Sequence, residues 1–116
     1  MDAEYARIGN VSEFPNGTLR RVIVFEESIL VANVNGKLYA ISNSCTHRGA
    51  PLNDGEVDHD VIICPWHGGQ FNIATGKAIN PPPMKDLRVF EVLIKGSDVL
   101  LKKQMAFEPT SELIMQ

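Results

Sequence analysis

Cys45-Thr46-His47-Arg48-Gly49-Ala50-Pro51-Leu52 and Cys64-Pro65-Trp66-His67-Gly68-Gly69-Gln70-Phe71 are the stretches on which the reading of this chain turns. Written as one pattern they are C-x-H, sixteen residues, C-x-x-H. They hold both cysteines of the chain and two of its three histidines. Two thiolates and two imidazoles at fixed spacing describe a metal site.

Working outward, the flanking sequence reads as short strands and turns. Val57 to Ile63, between the two stretches, reads as one strand, and Asn53-Asp54-Gly55 as the turn that closes the first stretch. Upstream, Lys37 to Ile41 reads as a strand with Leu38 and Ala40 on one face and Tyr39 and Ile41 on the other. Asn35-Gly36 is the pair a type I′ turn prefers, which makes Ser28 to Val34 its partner strand. Leu19 to Glu26 reads as a further strand. Phe14-Pro15-Asn16-Gly17 reads as a turn, and Tyr5 to Ile8 as a first strand stopped by Gly9-Asn10. Downstream, Phe71-Asn72-Ile73 reads as extended, Thr75-Gly76-Lys77 as a turn and Ala78-Ile79 as its return. Pro81-Pro82-Pro83 cannot lie in a central strand or a helix interior, so it reads as a stiff exposed or capping loop. Leu87 to Lys95 reads as one strand, turned by Gly96-Ser97-Asp98 into Val99 to Lys102. In the tail, Ser111 to Met115 fits either a capped helical turn or a frayed end. No stretch of about 12 residues holds a helical period, so the fold class is all-β, a small antiparallel sandwich or barrel. A hairpin-like course would bring the two Cys/His stretches side by side at one end of it.

The totals narrow the class. At 116 residues the chain is long enough to bury a core and short enough for one domain, set at 1–103 with a tail at 104–116. A formal charge of -3 without a run of Lys and Arg argues against nucleic acid as a partner. No apolar run approaches the roughly 20 residues that span a bilayer, so no membrane partner is expected. Met1-Asp2-Ala3-Glu4 lacks a basic region followed by an apolar one, so no signal peptide is expected. The expected compartment is the cytoplasm, where a disulfide would be unusual.

Three chemistries remain for the Cys/His set. Zinc takes two thiolates and two imidazoles in a tetrahedron, but such sites usually run in roughly the order C-x(2–4)-C then H-x(3–5)-H, like beside like. Here each stretch mixes one Cys with one His. A two-iron cluster explains the mixing, because two loops clasping it from opposite sides can each give one Cys to the inner iron and one His to the outer iron. A Cys45–Cys64 disulfide leaves the paired histidines unexplained.

C-T-H-x-G-x-P-L followed by C-P-W-H-G-x-x-F resembles the paired cluster-binding loops of Rieske-type ferredoxins. Pro81-Pro82-Pro83 resembles the proline-rich loop that covers the cluster in that family, and the likeness extends to about Lys102. The resemblance implies a small antiparallel Rieske-type β-sandwich or barrel with a cluster-binding subdomain at one end. It implies one [2Fe–2S] cluster, with Cys45 and Cys64 on one iron and His47 and His67 on the other. It also implies that Gly49, Gly68 and Gly69 let backbone N–H groups approach the cluster sulfurs. The departures carry information. High-potential members have an extra cysteine in each loop, joined as a disulfide, where this chain has Ala50 and Trp66. They also place Ser and Tyr hydroxyls near the sulfurs, where this chain has Gly69 and Phe71. Without those donors the potential is expected at the lower end of the roughly -150 to +300 mV that Rieske centres span. Protonation of the imidazoles on reduction implies a potential that falls as pH rises past their pKa values.

The resemblance covers both electron carriers and ring-hydroxylating oxygenases. Once His47 and His67 are used, only His59 remains, too few for a 2-His-1-carboxylate iron site. No G-x-G-x-x-G run provides for a nicotinamide or flavin. The chain therefore reads as a one-electron carrier and not an enzyme. A flavin-containing reductase is the implied donor, a terminal oxygenase or other redox protein the implied acceptor, and the carrier itself is expected to be a monomer. Two other classes stand beside it. One is the Rieske-like small subunit of an assimilatory nitrite reductase, in which the ligands are commonly missing. The other is a zinc-stabilised binding module. His59, between Asp58 and Asp60, reads as a surface residue. Asp54, Glu56, Asp58 and Asp60 fit either a solvated face or a dock for a basic partner. Trp66 fits either an electron-transfer contact or packing that shields the cluster.

Overall fold

The computed structural model describes residues 5–43, 51–65, 69–79 and 86–102. Among them the regular structure is antiparallel strand with two 3-10 turns, at Val11–Glu13 and Leu52–Asp54. The strands are β1 (Tyr5–Asn10), β2 (Leu19–Val24), β3 (Glu27–Val34), β4 (Lys37–Ser42), β5 (Glu56–Asp58), β6 (Val61–Ile63), β7 (Gln70–Asn72), β8 (Val89–Phe90), β9 (Val92–Lys95) and β10 (Asp98–Lys102). They form three sheets, ordered β1-β10-β9, β2-β3-β4-β8 and β5-β6-β7.

The middle sheet carries apolar side chains on both faces. On β3, Ile29 and Val31 point one way, and Leu30 and Ala32 the other; all four are buried. On β4 the expected alternation holds. Leu38 and Ala40 join Phe14, Phe90, Val99 and Leu101 in a core shared with β1-β10-β9. Tyr39 and Ile41 face the second core, built from Leu52, Ile62, Cys64, Phe71, Ile73 and Leu87. The period of two along β4 thus sends alternate residues into two different cores. Each fully buried aliphatic or aromatic side chain contributes about 1.5–3 kcal/mol. The sheet β5-β6-β7, which carries the second Cys/His stretch, is held by the second core.

The Asn35-Gly36 turn lies where expected, with positive φ at both residues. The strand expected over 19–26 stops at Val24, because Phe25 and Glu26 form a second turn with positive φ at both positions. Neither residue favours that conformation. Packing of the Phe25 ring against the core helps to offset its cost. The strand expected over 57–63 is two strands, β5 and β6, with His59-Asp60 as the turn between paired Asp58 and Val61. His59 takes φ 59°, and histidine is among the residues that tolerate the left-handed region. The strand expected over 87–95 also divides. Val89–Phe90 pairs with β4, and after Glu91 the chain crosses to pair Val92–Lys95 with β10. Each half is drawn to a different sheet, which a continuous apolar run does not reveal. Arg88 pairs with Glu27 and lies over the Phe90 ring at 5.4 Å, tying this crossing to β3. The first strand runs on to Asn10, past Gly9, with a register shift after Arg7. The expected tail element at Ser111 to Met115 lies outside the described residues.

Candidate metal centre

Of the four expected ligands, Cys64 lies among the described residues; Cys45, His47 and His67 lie outside them, as do Ala50, Trp66 and Pro81-Pro82-Pro83. The roots of both Cys/His loops are described. The first loop leaves at Asn43 and returns at Pro51-Leu52, where Leu52 N–H donates to the Asn43 carbonyl at 2.9 Å. The second is a hairpin loop on β6 and β7. Cys64 N–H donates to the Gly69 carbonyl at 2.7 Å, one step beyond the Ile63–Gln70 pair.

Register brings these roots together. Glu56 pairs with Ile63 and Ile63 with Gln70, so the chain leaving the first loop and both arms of the second lie on three adjacent strands. Leu52 and Cys64 share one buried core. A third segment is anchored beside them. Leu87 N–H donates to the Gly76 carbonyl at 2.7 Å, and Ala78 N–H to Asp86 Oδ1 at 2.9 Å. Gly76 has φ 77°, and a β-carbon there would stand 2.3 Å from the Leu87 carbonyl oxygen, so this approach requires glycine. The expected return of Ala78-Ile79 is present, with Ala78 bridged to Phe71. Ile79 bonds to Gln70 and Asp86 to Ala78, so the described residues on either side of 80–85 lie near β7.

Cys64 is 3% exposed, and among the described residues its sulfur has no disulfide partner. Phe71, in the same core, is fully buried and offers no hydroxyl. A buried soft donor at the base of a loop, in a chain with one more Cys and two spaced His, fits an iron–sulfur cluster by the chemistry of its donor set. Among the described residues no three His, Cys, Asp or Glu side chains converge on a metal position of their own.

His59 sits in the turn at the end of β6 opposite Cys64. It is exposed, with Nδ1 2.9 Å from Asp58 Oδ1. Asp54, Glu56, Asp58 and Asp60 are all exposed, Glu56 and Asp58 on the edge strand β5 with Val57 packed beneath. Two residues near the site carried no motif in the sequence. Asp86 caps the strand end at Ala78. Asn43 holds the first loop's root, and its only signal was an Asn, a residue prone to local backbone bonding, just ahead of Cys45.

A family model for the Rieske [2Fe–2S] domain matches residues 4–91. The ferredoxin CarAc of Metapseudomonas resinovorans is 39% identical over 100 residues, spanning 85% of this chain and 94% of that protein. The biphenyl dioxygenase ferredoxin subunit of Pseudomonas sp. (strain KKS102) is 35% identical over 98 residues, spanning 84% and 90%. Among solved structures, a chain from the complex of reduced oxygenase and oxidised ferredoxin in carbazole 1,9a-dioxygenase superposes with a TM-score of 0.83 at 36% identity, covering 90% of this chain and 98% of that one. A putative NADH-dependent nitrite reductase small subunit from Mycobacterium tuberculosis shares the fold, with a TM-score of 0.75 at 13% identity. The chain belongs to the Rieske [2Fe–2S] family. It is an electron-transfer protein of the ferredoxin kind, not itself a catalyst, and its cofactor is one Rieske-type [2Fe–2S] cluster.

Proposed function

We propose that the chain carries single electrons from a flavin-containing reductase to a terminal oxygenase, with Cys45 and Cys64 ligating one iron and His47 and His67 the other. The observation that carries this is Cys64, buried at the base of a loop whose neighbour is rooted in the same core. The bound cluster supplies a one-electron couple at a low reduction potential. The rest falls to the chain. Leu52, Ile62 and Phe71 keep water from the Cys64 side. Ile79, 46% exposed and bonded through its N–H to the Gln70 carbonyl, offers an apolar contact beside the second loop, where a partner can exclude water. The acidic edge at β5 suits a basic face on the reductase. Relatives named as ferredoxin components of dioxygenase systems, and a related chain solved with its oxygenase, favour the oxygenase as acceptor. The carrier unit is residues 1–103, a monomer working in the cytoplasm, with 104–116 as a tail. Among the described residues no helix is long and apolar enough to cross a membrane.

The purified protein is expected to be brown and to give an EPR signal only when reduced, and then to be reduced by a flavin reductase and reoxidised by an oxygenase. A colourless protein with stoichiometric zinc would refute the ligand assignment. A coloured one that no reductase–oxygenase pair can turn over would refute the assigned partners.

A further inference from the structure

Asn43 is 3% exposed, the one buried polar side chain among the described residues. Among the described residues five hydrogen bonds meet on it. Its Nδ2 donates to Asn53 Oδ1 at 2.8 Å and to Ser28 Oγ at 3.3 Å, and its Oδ1 accepts from Asn53 N–H at 2.9 Å. Its backbone N–H donates to the Ser28 carbonyl at 3.0 Å, and its carbonyl accepts from Leu52 N–H at 2.9 Å. One residue thus joins β3, the start of the first loop and the end of that loop.

A buried amide is a poor source of stability, because its bonds replace bonds to water and an apolar side chain would avoid the desolvation. Its effect here is directional. Two bonds to Asn53, one to its side chain and one to its backbone, fix the Asn43 side-chain torsions. The Leu52 and Ser28 bonds fix its backbone. Cys45 follows two residues later in the sequence, so the direction in which the chain leaves Asn43 bears on the first expected ligand.

We propose that Asn43 is a positioning residue that pins the two ends of the first Cys/His loop to each other and to β3, and that cluster retention depends on it. This rests on Cys45 and His47 being ligands. The groups that hold a ligand in place typically change metal retention by about 10–100-fold when removed.

The test compares the holoprotein with Asn43→Ala, Asn53→Ala, the double variant and Leu101→Ala, a fully buried residue of the other core. Asn43→Ala should broaden the EPR spectrum of the reduced cluster and speed cluster loss to a chelator about tenfold, measured well below the unfolding temperature. Asn53→Ala, which removes the side-chain acceptor and keeps the backbone N–H bond to Asn43, should do the same to a smaller degree, and the double variant should be no worse than Asn43→Ala. Leu101→Ala should lower the unfolding temperature and leave both readouts at wild type. A wild-type spectrum and chelator rate in both Asn variants would overturn the proposal. So would equal acceleration in Leu101→Ala, which would reduce the effect to general stability. Cys45→Ser is run in parallel: a normal cluster there would overturn the ligand assignment, whatever the Asn variants do.

Discussion

Gly55 lies against the backbone of Ile63: a β-carbon on it would stand 2.0 Å from the Ile63 carbonyl oxygen and 3.2 Å from the Leu52 carbonyl oxygen. Its N–H also donates to Leu52 at 2.9 Å. The contact joins the end of the first loop to the residue before Cys64. Neither neighbour is a flexible side chain, so Gly55→Ala must part β5 from β6. The expected cost is about 2–4 kcal/mol, with a lower iron content in the purified protein. Denaturant unfolding and iron analysis check it; wild-type values in both would mean that the two strands can separate freely.

The ligand set makes a sharper prediction. Cys45→Ser, Cys64→Ser, His47→Ala and His67→Ala should each abolish normal cluster assembly, because the remaining three donors leave one iron short of a ligand. His59→Ala should not, since His59 is exposed at the far end of β6 and among the described residues bonds its neighbour Asp58. Visible absorption together with iron and acid-labile sulfide assays separates the cases. Normal cluster in any of the first four, or its loss in His59→Ala, contradicts the assignment.

These contrasts show where the sequence was legible. The two Cys/His stretches pointed to the cluster because the spacing of ligand types is local, and the period of two in Lys37 to Ile41 assigned its faces correctly for the same reason. Asn35-Gly36 announced its turn through residues that tolerate positive φ. Phe25-Glu26 and His59-Asp60 did not, because their turns are imposed by the pairing of the strands on either side. The break at Glu91 was hidden because Val89-Phe90 and Val92 to Lys95 are equally apolar and differ only in which sheet receives them. Asn43 and Gly55 matter through contacts with Asn53 and Ile63, ten and eight residues away, and their residue types announce a turn but not those contacts.

Phe71 bears on the reduction potential. It is fully buried in the core that holds Cys64, and its ring offers no donor to a sulfur. Hydrogen bonds to cluster sulfurs raise the potential, so the wild-type midpoint should fall toward the lower end of roughly -150 to +300 mV. Phe71→Tyr should raise it by on the order of tens of mV. A redox titration followed by EPR measures both. A wild-type midpoint near the upper end would contradict the link between missing hydroxyls and low potential.

The acidic edge yields a kinetic prediction. Glu56 and Asp58 lie on β5, which among the described residues pairs with β6 alone, and both are exposed together with Asp54 and Asp60. Exposed charges contribute little to stability, so Glu56→Lys with Asp58→Lys should leave the unfolding temperature nearly unchanged. Their field still acts on an approaching protein, over about 8 Å at physiological salt. If this edge meets a basic face on the reductase, the wild-type rate of reduction should fall as salt is added. The double reversal should be slower by about tenfold at low salt, with a flat or inverted salt dependence. Stopped-flow reduction by a candidate flavin reductase, at several ionic strengths, gives both quantities. An unchanged rate and salt slope in the double reversal would assign these carboxylates to solvent and move the dock to the apolar surface around Ile79.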